Sequence, residues 1–354
     1  MKLIHCADIH LGSKMDSRLP SERAEERRRE LRATFSSMVG YAADNGVSVI
    51  ILAGDVFDSD RPLKKDKEFF YSVVKNNPQI EFLYLRGNHD KLQSYTESLE
   101  NLKTFSDEWT EYRYGRICVS GAELTKENNS LLYSSLKLDD RNVNIVVMHG
   151  LAGSADGKDE INLKKLRDRG IDYLALGHLH SFSSGKLDGR GVYAYSGCPE
   201  GRGFDETGEK GFILLDVSVS VRAEFIPFSR RTVRIAEFDV SSAADDYEVY
   251  AAVKRGLKFN KRDIVRVVLQ GEIGFDNLNL DRETEKRLES EGYYYLEVKD
   301  ETVHRLDLSA YEKDISLKGE FVRTVLGSAD ISPADKREII SLGLKALEGG
   351  EIEI

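Results

Sequence analysis

Only three cysteines occur in the 354 residues, Cys6, Cys118 and Cys198, and no two form a CxxC pair. Widely spaced and odd in number, they exclude a disulfide framework and a thiolate zinc site. They point to a reduced, intracellular and cytoplasmic protein. No run of 18 apolar residues is present, which excludes a membrane-spanning helix and leaves no membrane partner. The opening MKLIHCADIH carries His and Asp within ten residues and lacks an apolar stretch, so no secretory leader is expected. Positive charge is not in excess. Lys and Arg number 51 against 61 Asp and Glu, a net charge of −10, so nucleic acid would have to be held locally or with the help of bound cations. Internal repeats, low-complexity stretches and Pro/Gly-rich linkers are absent as well.

What remains is 40% apolar and 32% charged, enough to build a sizeable core and too apolar for a disordered chain. The length suggests two domains. Over residues 1–230, short Ile/Val/Leu-rich runs alternate with helical stretches. The runs are Leu3–Ala7, Val47–Ala53, Ile80–Leu85, Val143–Met148 and Ile171–Leu176. Four to seven residues each, they read as strands buried on both faces. Between the first two, Ser21–Ala43 places Leu31, Phe35, Met38, Val39 and Ala42 at helical spacing. Its other face carries Glu25, Arg28, Arg29 and Arg32 and reads as solvated. Asp66–Asn77 and Asn162–Arg169 read as two further helices. The alternation predicts an α/β domain.

From Gly191 the pattern changes to short strands with no helix between them (Val192–Tyr195, Phe212–Val217, Ala223–Ile226, Thr232–Phe238), which suits an antiparallel portion. Alternating helices and strands come next, and a last helix starts at Ser332-Pro333, with Gly349-Gly350 as its stop. A domain boundary is expected near Arg230, giving residues 1–230 and 231–354.

The chemistry lies in the residues at the carboxyl end of each buried strand: Asp8-Ile9-His10, Gly54-Asp55 with Asp58 nearby, Gly87-Asn88-His89-Asp90, His149-Gly150, and Gly177-His178-Leu179-His180. Of seven histidines only His5 and His304 lie elsewhere, and a structural role suits both. The carboxyl ends of strands form the ligand-binding edge of an α/β sheet, so these groups should converge on one site. Imidazoles, carboxylates and an amide without thiolates suit manganese, iron or zinc. There are more candidate ligands than one ion needs, and a carboxylate can bridge two ions about 3.5–4 Å apart. Glycines at 54, 87, 150 and 177 permit the sharp turns such a site needs. Any one of these motifs alone is an ordinary turn; five together are not.

DIH, GDVFD, GNHD, MHG and GHLH, in this order and spacing, resemble the signature of calcineurin-like metallophosphoesterases. HCADIHLG, VIILAGDVFDSDRP and GCPEGRGFDETGEKGF resemble the bacterial SbcD/YhaO-type DNA-repair nuclease branch. The resemblance implies a sandwich of two mixed sheets flanked by helices over residues 1–230, and a smaller α+β capping domain over 231–354. It implies two divalent ions, manganese above all, one held by Asp8, His10 and His180, the other by Asn88, His149 and His178, with Asp55 bridging them. It makes His89 catalytic rather than a ligand, facing the leaving oxygen and oriented by an acidic neighbour. Water acidified on the metals to a pKa near ~7 would attack phosphorus in line. Arg202 is the candidate contact to a substrate backbone. Where archaeal and eukaryotic members carry a second histidine after GDxF, this chain carries Asp58, as bacterial relatives do. The implied partners are DNA, an SMC-like ATPase of SbcC type, and a second copy in a homodimer. The implied function is a DNA exonuclease or endonuclease in repair. Phosphomonoester or cyclic-nucleotide hydrolysis with the same centre is the alternative, ahead of a non-catalytic scaffold.

Overall fold

The five apolar runs become the centre of two mixed six-stranded sheets, because strands apolar on both faces can only be covered on both. The computed structural model describes residues 1–15, 19, 21–90, 98–154, 159–218, 220–275, 279–305, 308–311 and 313–347. In the first sheet the spatial order is Val221–Pro227, Gly211–Val217, Lys2–Cys6, Val47–Ala53, Glu81–Leu85, Leu102–Thr104. Lys2–Cys6 through Leu102–Thr104 run parallel, and the two late strands join antiparallel. In the second sheet the order is Ser183–Lys186, Val192–Tyr195, Tyr173–Gly177, Val143–His149, Ile117–Gly121, Thr110–Tyr114.

Side chains alternate between the faces of each strand. Leu3, Val49, Ile51 and Leu83 of the first sheet therefore share one buried core with Val119, Ile145, Val147 and Ala175 of the second. The intervening residues Ile4, Ile50, Leu52 and Phe82 point the other way. They pack on Leu31, Phe35 and Met38 of helix Ser21–Asp44 and on Phe70 and Val74 of helix Lys64–Lys75. Val146, Met148, Leu174 and Leu176 are covered likewise by Leu132, Tyr133 and Leu166. This is an α/β sandwich of two mixed sheets flanked by helices, as expected.

Two details differ from the expectation. Val192–Tyr195 is not part of a purely antiparallel portion: it runs parallel to Tyr173–Gly177 and antiparallel only to Ser183–Lys186. The helix expected over Asn162–Arg169 is a single turn, Leu163–Leu166, capped by the Asn162 side chain, which accepts from the Lys164 backbone N–H.

The chain divides into two compact units, Met1–Arg234 with Arg262–Ile264, and Ile235–Lys261 with Val265–Ile354. In the second, a three-stranded sheet (Val233–Asp239, Ile264–Gln270, Tyr295–Asp300) shares a core with helices Asp246–Gly256 and Leu280–Leu288. A smaller cluster of Val322, Val325, Ile340 and Leu344 joins helices Leu317–Gly327 and Pro333–Leu347. Gly349 and Gly350 lie outside the described residues. No described helix is long and apolar enough to cross a membrane.

Candidate metal centre

The loops leaving the first two strands are zipped together by backbone bonds. Asp8 N donates to Gly54 O (3.0 Å), His10 N to Asp55 O (3.0 Å) and Leu11 N to Val56 O (2.8 Å). This pairing forces turns that L residues avoid. Asp8, His10, Asp55 and His178 all have positive φ (52°, 51°, 52° and 110°), four of the six described non-glycine residues that do. Such backbone costs about 1–3 kcal/mol per residue and collects where function demands it. Gly54 (φ +97°) has no room for a side chain, since a Cβ would lie 2.1 Å from His149 Nδ1. At Gly87 a Cβ would lie 2.2 Å from Asp55 Oδ1.

The turns bring every predicted ligand to one edge. Asp8, His10 and His180 form one close group, and Asp8, Asp55 and His149 form another. His10 Nε2 and His180 Nε2 face each other at 3.2 Å. Asn88 Nδ2 lies 3.3 Å from His178 Nδ1, and the His149 and His178 rings meet edge to face at 5.5 Å. Asp55 Oδ2 looks both ways, 3.3 Å from His149 Nε2 and 3.9 Å from His10 Nε2. Asp8, His10, Asp55 and His149 are buried; Asn88, His178 and His180 are part-exposed.

Backbone N–H groups hold the carboxylates in place. His178 N donates to both oxygens of Asp8 (3.0 Å each) and His89 N to Asp55 Oδ1 (2.8 Å). Burial raises the Asp55 pKa, but His149, the His89 N–H and His10 outweigh it and hold the carboxyl below the usual range. Burial likewise opposes charge on His149, yet Asp55 and Asp8 push that imidazole up to about 9. His10 and His178 go the other way, lowered chiefly by burial.

The residues fit divalent cations. His149 donates Nδ1–H to the Ala53 carbonyl (2.9 Å), which leaves Nε2 to face the centre. That nitrogen is buried and faces a carboxylate oxygen. Without metal a proton stands between that nitrogen and the Asp55 carboxylate, and a divalent cation can take its place; oxygen and imidazole donors without thiolate suit a hard or borderline one.

His89 is exposed, and its ring meets that of His10 edge to face at 5.0 Å. It forms a third close group with His10 and Asp58. Its acidic neighbour Asp90 is engaged elsewhere, accepting from Gly87 N (2.5 Å), Val56 N (2.9 Å) and the Tyr84 hydroxyl (2.5 Å). Asp90 therefore fixes the loop rather than the imidazole, and burial pushes its carboxyl up to about 6. A cleft of about 290 Å³ opens beside Asn88 and His149, lined also by Arg86, Gly87, Glu123 and Thr125. Arg202 stands beside His180, its guanidinium bonded to Asp58 (2.9 Å) and Glu206 (2.7 Å).

Three features are not apparent in the sequence pattern or only confirmed by the fold. Glu206 accepts from His180 Nδ1 at 2.7 Å. Arg27, on the same helix as the exposed Arg23 and Arg29, turns inward to Glu200 (2.8 Å) and the Gly201 carbonyl (3.0 Å), pinning the loop that carries Arg202, and Arg32, expected on the solvated face, is part-buried beside the buried Asp66 (3.4 Å). His5 is fully buried against Tyr173 OH (2.9 Å), a structural role as expected. Glu206 lies in a loop without periodicity, 26 residues from its histidine, and its one signal in the sequence is its place in GCPEGRGFDETGEKGF.

Comparison with known proteins places these strands and loops in a family. The protein named DNA double-strand break repair protein Mre11 from Sulfurisphaera tokodaii is 27% identical over 239 residues, 61% of this chain and 60% of that one. Mre11 from Saccharolobus solfataricus is 25% identical over 342 residues, 88% and 85% of the two chains. The metallophosphoesterase YhaO of Bacillus subtilis is 28% identical over 298 residues, 77% and 72%. The sequence model of the calcineurin-like phosphoesterases matches residues 1–182, just over half of the chain, and takes in every strand end that carries the cluster but not the loop of Arg202 and Glu206. The chain belongs to the calcineurin-like phosphoesterase family of hydrolases.

Proposed function

We propose that this chain is a DNA phosphodiesterase working with two divalent ions, manganese first among the candidates. The observation that carries the reading is Asp55, whose one carboxylate oxygen faces His149 on one side and His10 on the other. Asp8, His10 and His180 would hold one ion, Asn88, His149 and His178 the second, and Asp55 both. Bound cations of this kind supply an acidified water and offset negative charge gathering on phosphate. They also let an acidic chain accept a polyanion at one place.

The protein's own groups do the rest. His89, exposed at the rim and not needed by either ion, is placed to give a proton or hydrogen bond to the leaving oxygen. The cleft along Arg86, Asn88 and Thr125 gives a substrate room on the His149 side. DNA is favoured over small esters by the resemblance to the repair nucleases and by the relatives named as double-strand break repair proteins. On this reading residues 1–230 are the nuclease domain and 231–354 the cap.

The test is a turnover panel with manganese on single- and double-stranded DNA, a cyclic dinucleotide, an aryl phosphodiester and an aryl phosphomonoester. DNA cleavage is expected. Cleavage of the small esters alone would overturn the DNA assignment, and inertness toward all five would overturn the enzyme.

For partners, the reading extends to an SMC-like ATPase docking on the last helix. Ile340 and Leu344 of that helix are buried in their own unit, whereas Ile339, Leu342 and Leu347 are exposed. Ile339→Glu with Leu342→Glu should leave ester hydrolysis intact and abolish co-purification with the ATPase; unaltered co-purification would contradict the assignment.

A further inference from the structure

Two histidines expected to share one ion, His10 and His180, present their Nε2 atoms to each other at 3.2 Å. Behind each stands a carboxylate. Asp58 Oδ1 lies 3.0 Å from His10 Nδ1, and Glu206 Oε1 lies 2.7 Å from His180 Nδ1. Both carboxylates are gripped by one guanidinium. Arg202 Nη1 donates to Asp58 Oδ1 at 2.9 Å, and Nη2 and Nε donate to Glu206 Oε1 at 2.7 and 3.0 Å. Arg202 Nη2 also lies 3.1 Å from His180 Nδ1, but Glu206 is the nearer partner, so the Nδ1–H is given to the carboxylate.

The clamp is itself anchored. Glu206 Oε2 accepts from the Arg202 backbone N–H at 2.7 Å, so the pair is joined through main chain as well as side chain. Lys210, buried, donates to the His180 carbonyl at 2.7 Å. The preceding loop is fixed through Glu200, which is fully buried and takes bonds from Arg27, the Thr34 hydroxyl and the Arg230 N–H. Glu206 is 4% exposed and Arg202 19%, so the ion pair is shielded from water far more than a surface pair.

We infer that Arg202, Glu206 and Asp58 form a positioning clamp for one metal ion, in which a single arginine holds the two carboxylates that orient His10 and His180. The inference rests on the two-ion centre proposed for this chain and assigns Arg202 to the protein's own framework rather than to a substrate backbone. An imidazole binds metal through one nitrogen only when the other carries the proton, and a carboxylate at that proton fixes both tautomer and ring angle. Glu206 does this for His180 through a hydrogen bond and Asp58 steers His10 by its charge at 3.0 Å, so the two Nε2 atoms face one point. The arginine keeps the two carboxylates apart and prevents either from swinging inward to replace a histidine. A bidentate, multi-donor fork is needed for that, which a lysine cannot supply.

The test uses the full chain and its Glu206→Gln and Arg202→Ala variants, with manganese binding measured by calorimetry and electron paramagnetic resonance. Hydrolysis of an aryl phosphodiester is followed across manganese concentration. Both variants should weaken one of two sites by about 10–100-fold and leave the other unchanged. The weakened site should be the one that His180→Ala loses, and saturating manganese should restore most of the hydrolysis. Unaltered affinity at both sites in both variants would overturn the inference. So would a raised KM for DNA with manganese binding intact, which is the signature of a substrate contact. Should Glu206→Gln not fold, Arg202→Ala decides alone, because its side chain is part-exposed. A wild-type chain that binds fewer than two manganese ions would overturn the proposed function itself, and the clamp with it.

Discussion

Asp55 Oδ2 lies 3.3 Å from His149 Nε2, while the other imidazole nitrogen is taken by the Ala53 carbonyl. Without metal the two groups form an ion pair; in the proposed two-ion centre the same atoms would become neighbouring ligands.

That exchange predicts a pH dependence. His149 is pushed up to about 9 from an ordinary 6.5, burial being outweighed by Asp55. In metal-free protein the pair's stabilisation is fully present below about pH 6.5 and is lost as pH rises through about 9. A metal must displace that proton, so between pH 7 and 8.5 manganese affinity should rise about tenfold per unit, with about one proton released. His10 and His178 are lowered and already neutral there, adding nothing to the slope. Calorimetry in buffers of different ionisation heat reads the proton; a flat affinity over this range would contradict the pairing.

Asp55→Ala should lose both ions, because its carboxylate faces both halves of the centre, whereas His180→Ala should weaken mainly one. Elemental analysis after dialysis checks this. Two ions retained in the Asp55 variant would sink the bridging role.

His89→Ala should keep both ions and bind DNA, yet cleave it at least about a hundredfold more slowly, the lower range for a lost general acid. The defect should shrink on an aryl diester, whose leaving group needs little protonation. Because His89 also stands close to His10 and Asp58, metal content has to be measured alongside. Loss of an ion would make His89 a ligand, and near-normal DNA cleavage would make it a turn residue.

Gly54→Ala introduces a Cβ 2.1 Å from the His149 ring at a backbone φ of +97°. Backbone strain and overpacking together predict about 2–4 kcal/mol of destabilisation. Metal should be lost in parallel as the imidazole is displaced. Urea unfolding and metal content, both unchanged, would refute the tight-turn argument.

The central strands are legible in the sequence because burial on both faces writes them as unbroken apolar runs, and their ends are legible because His, Asp and Asn there have no other reason to recur. The outer strands of the second sheet are not. Thr110–Tyr114 alternates half-buried and exposed residues, TEYRY, and Ser183–Lys186 is nearly all exposed, so neither carries an apolar signal. Ile117–Gly121 is fully buried but ends in Ser and Gly, which read as a turn. In the site, the proposed ligands lie in motifs at strand ends; Glu206 lies in GCPEGRGFDETGEKGF too, but its role, like that of Arg27, comes from a long-range contact: 26 residues separate Glu206 from His180, and 173 separate Arg27 from Glu200. No local pattern encodes a partner that far away.

The most direct measurement is anomalous diffraction at the manganese edge from crystals grown with manganese. The account predicts two peaks about 3.5–4 Å apart. Asp55 should lie between them, with His10 and His180 on one and His149, His178 and Asn88 on the other. A single peak, or a second peak held by His89 in place of His149, would contradict it.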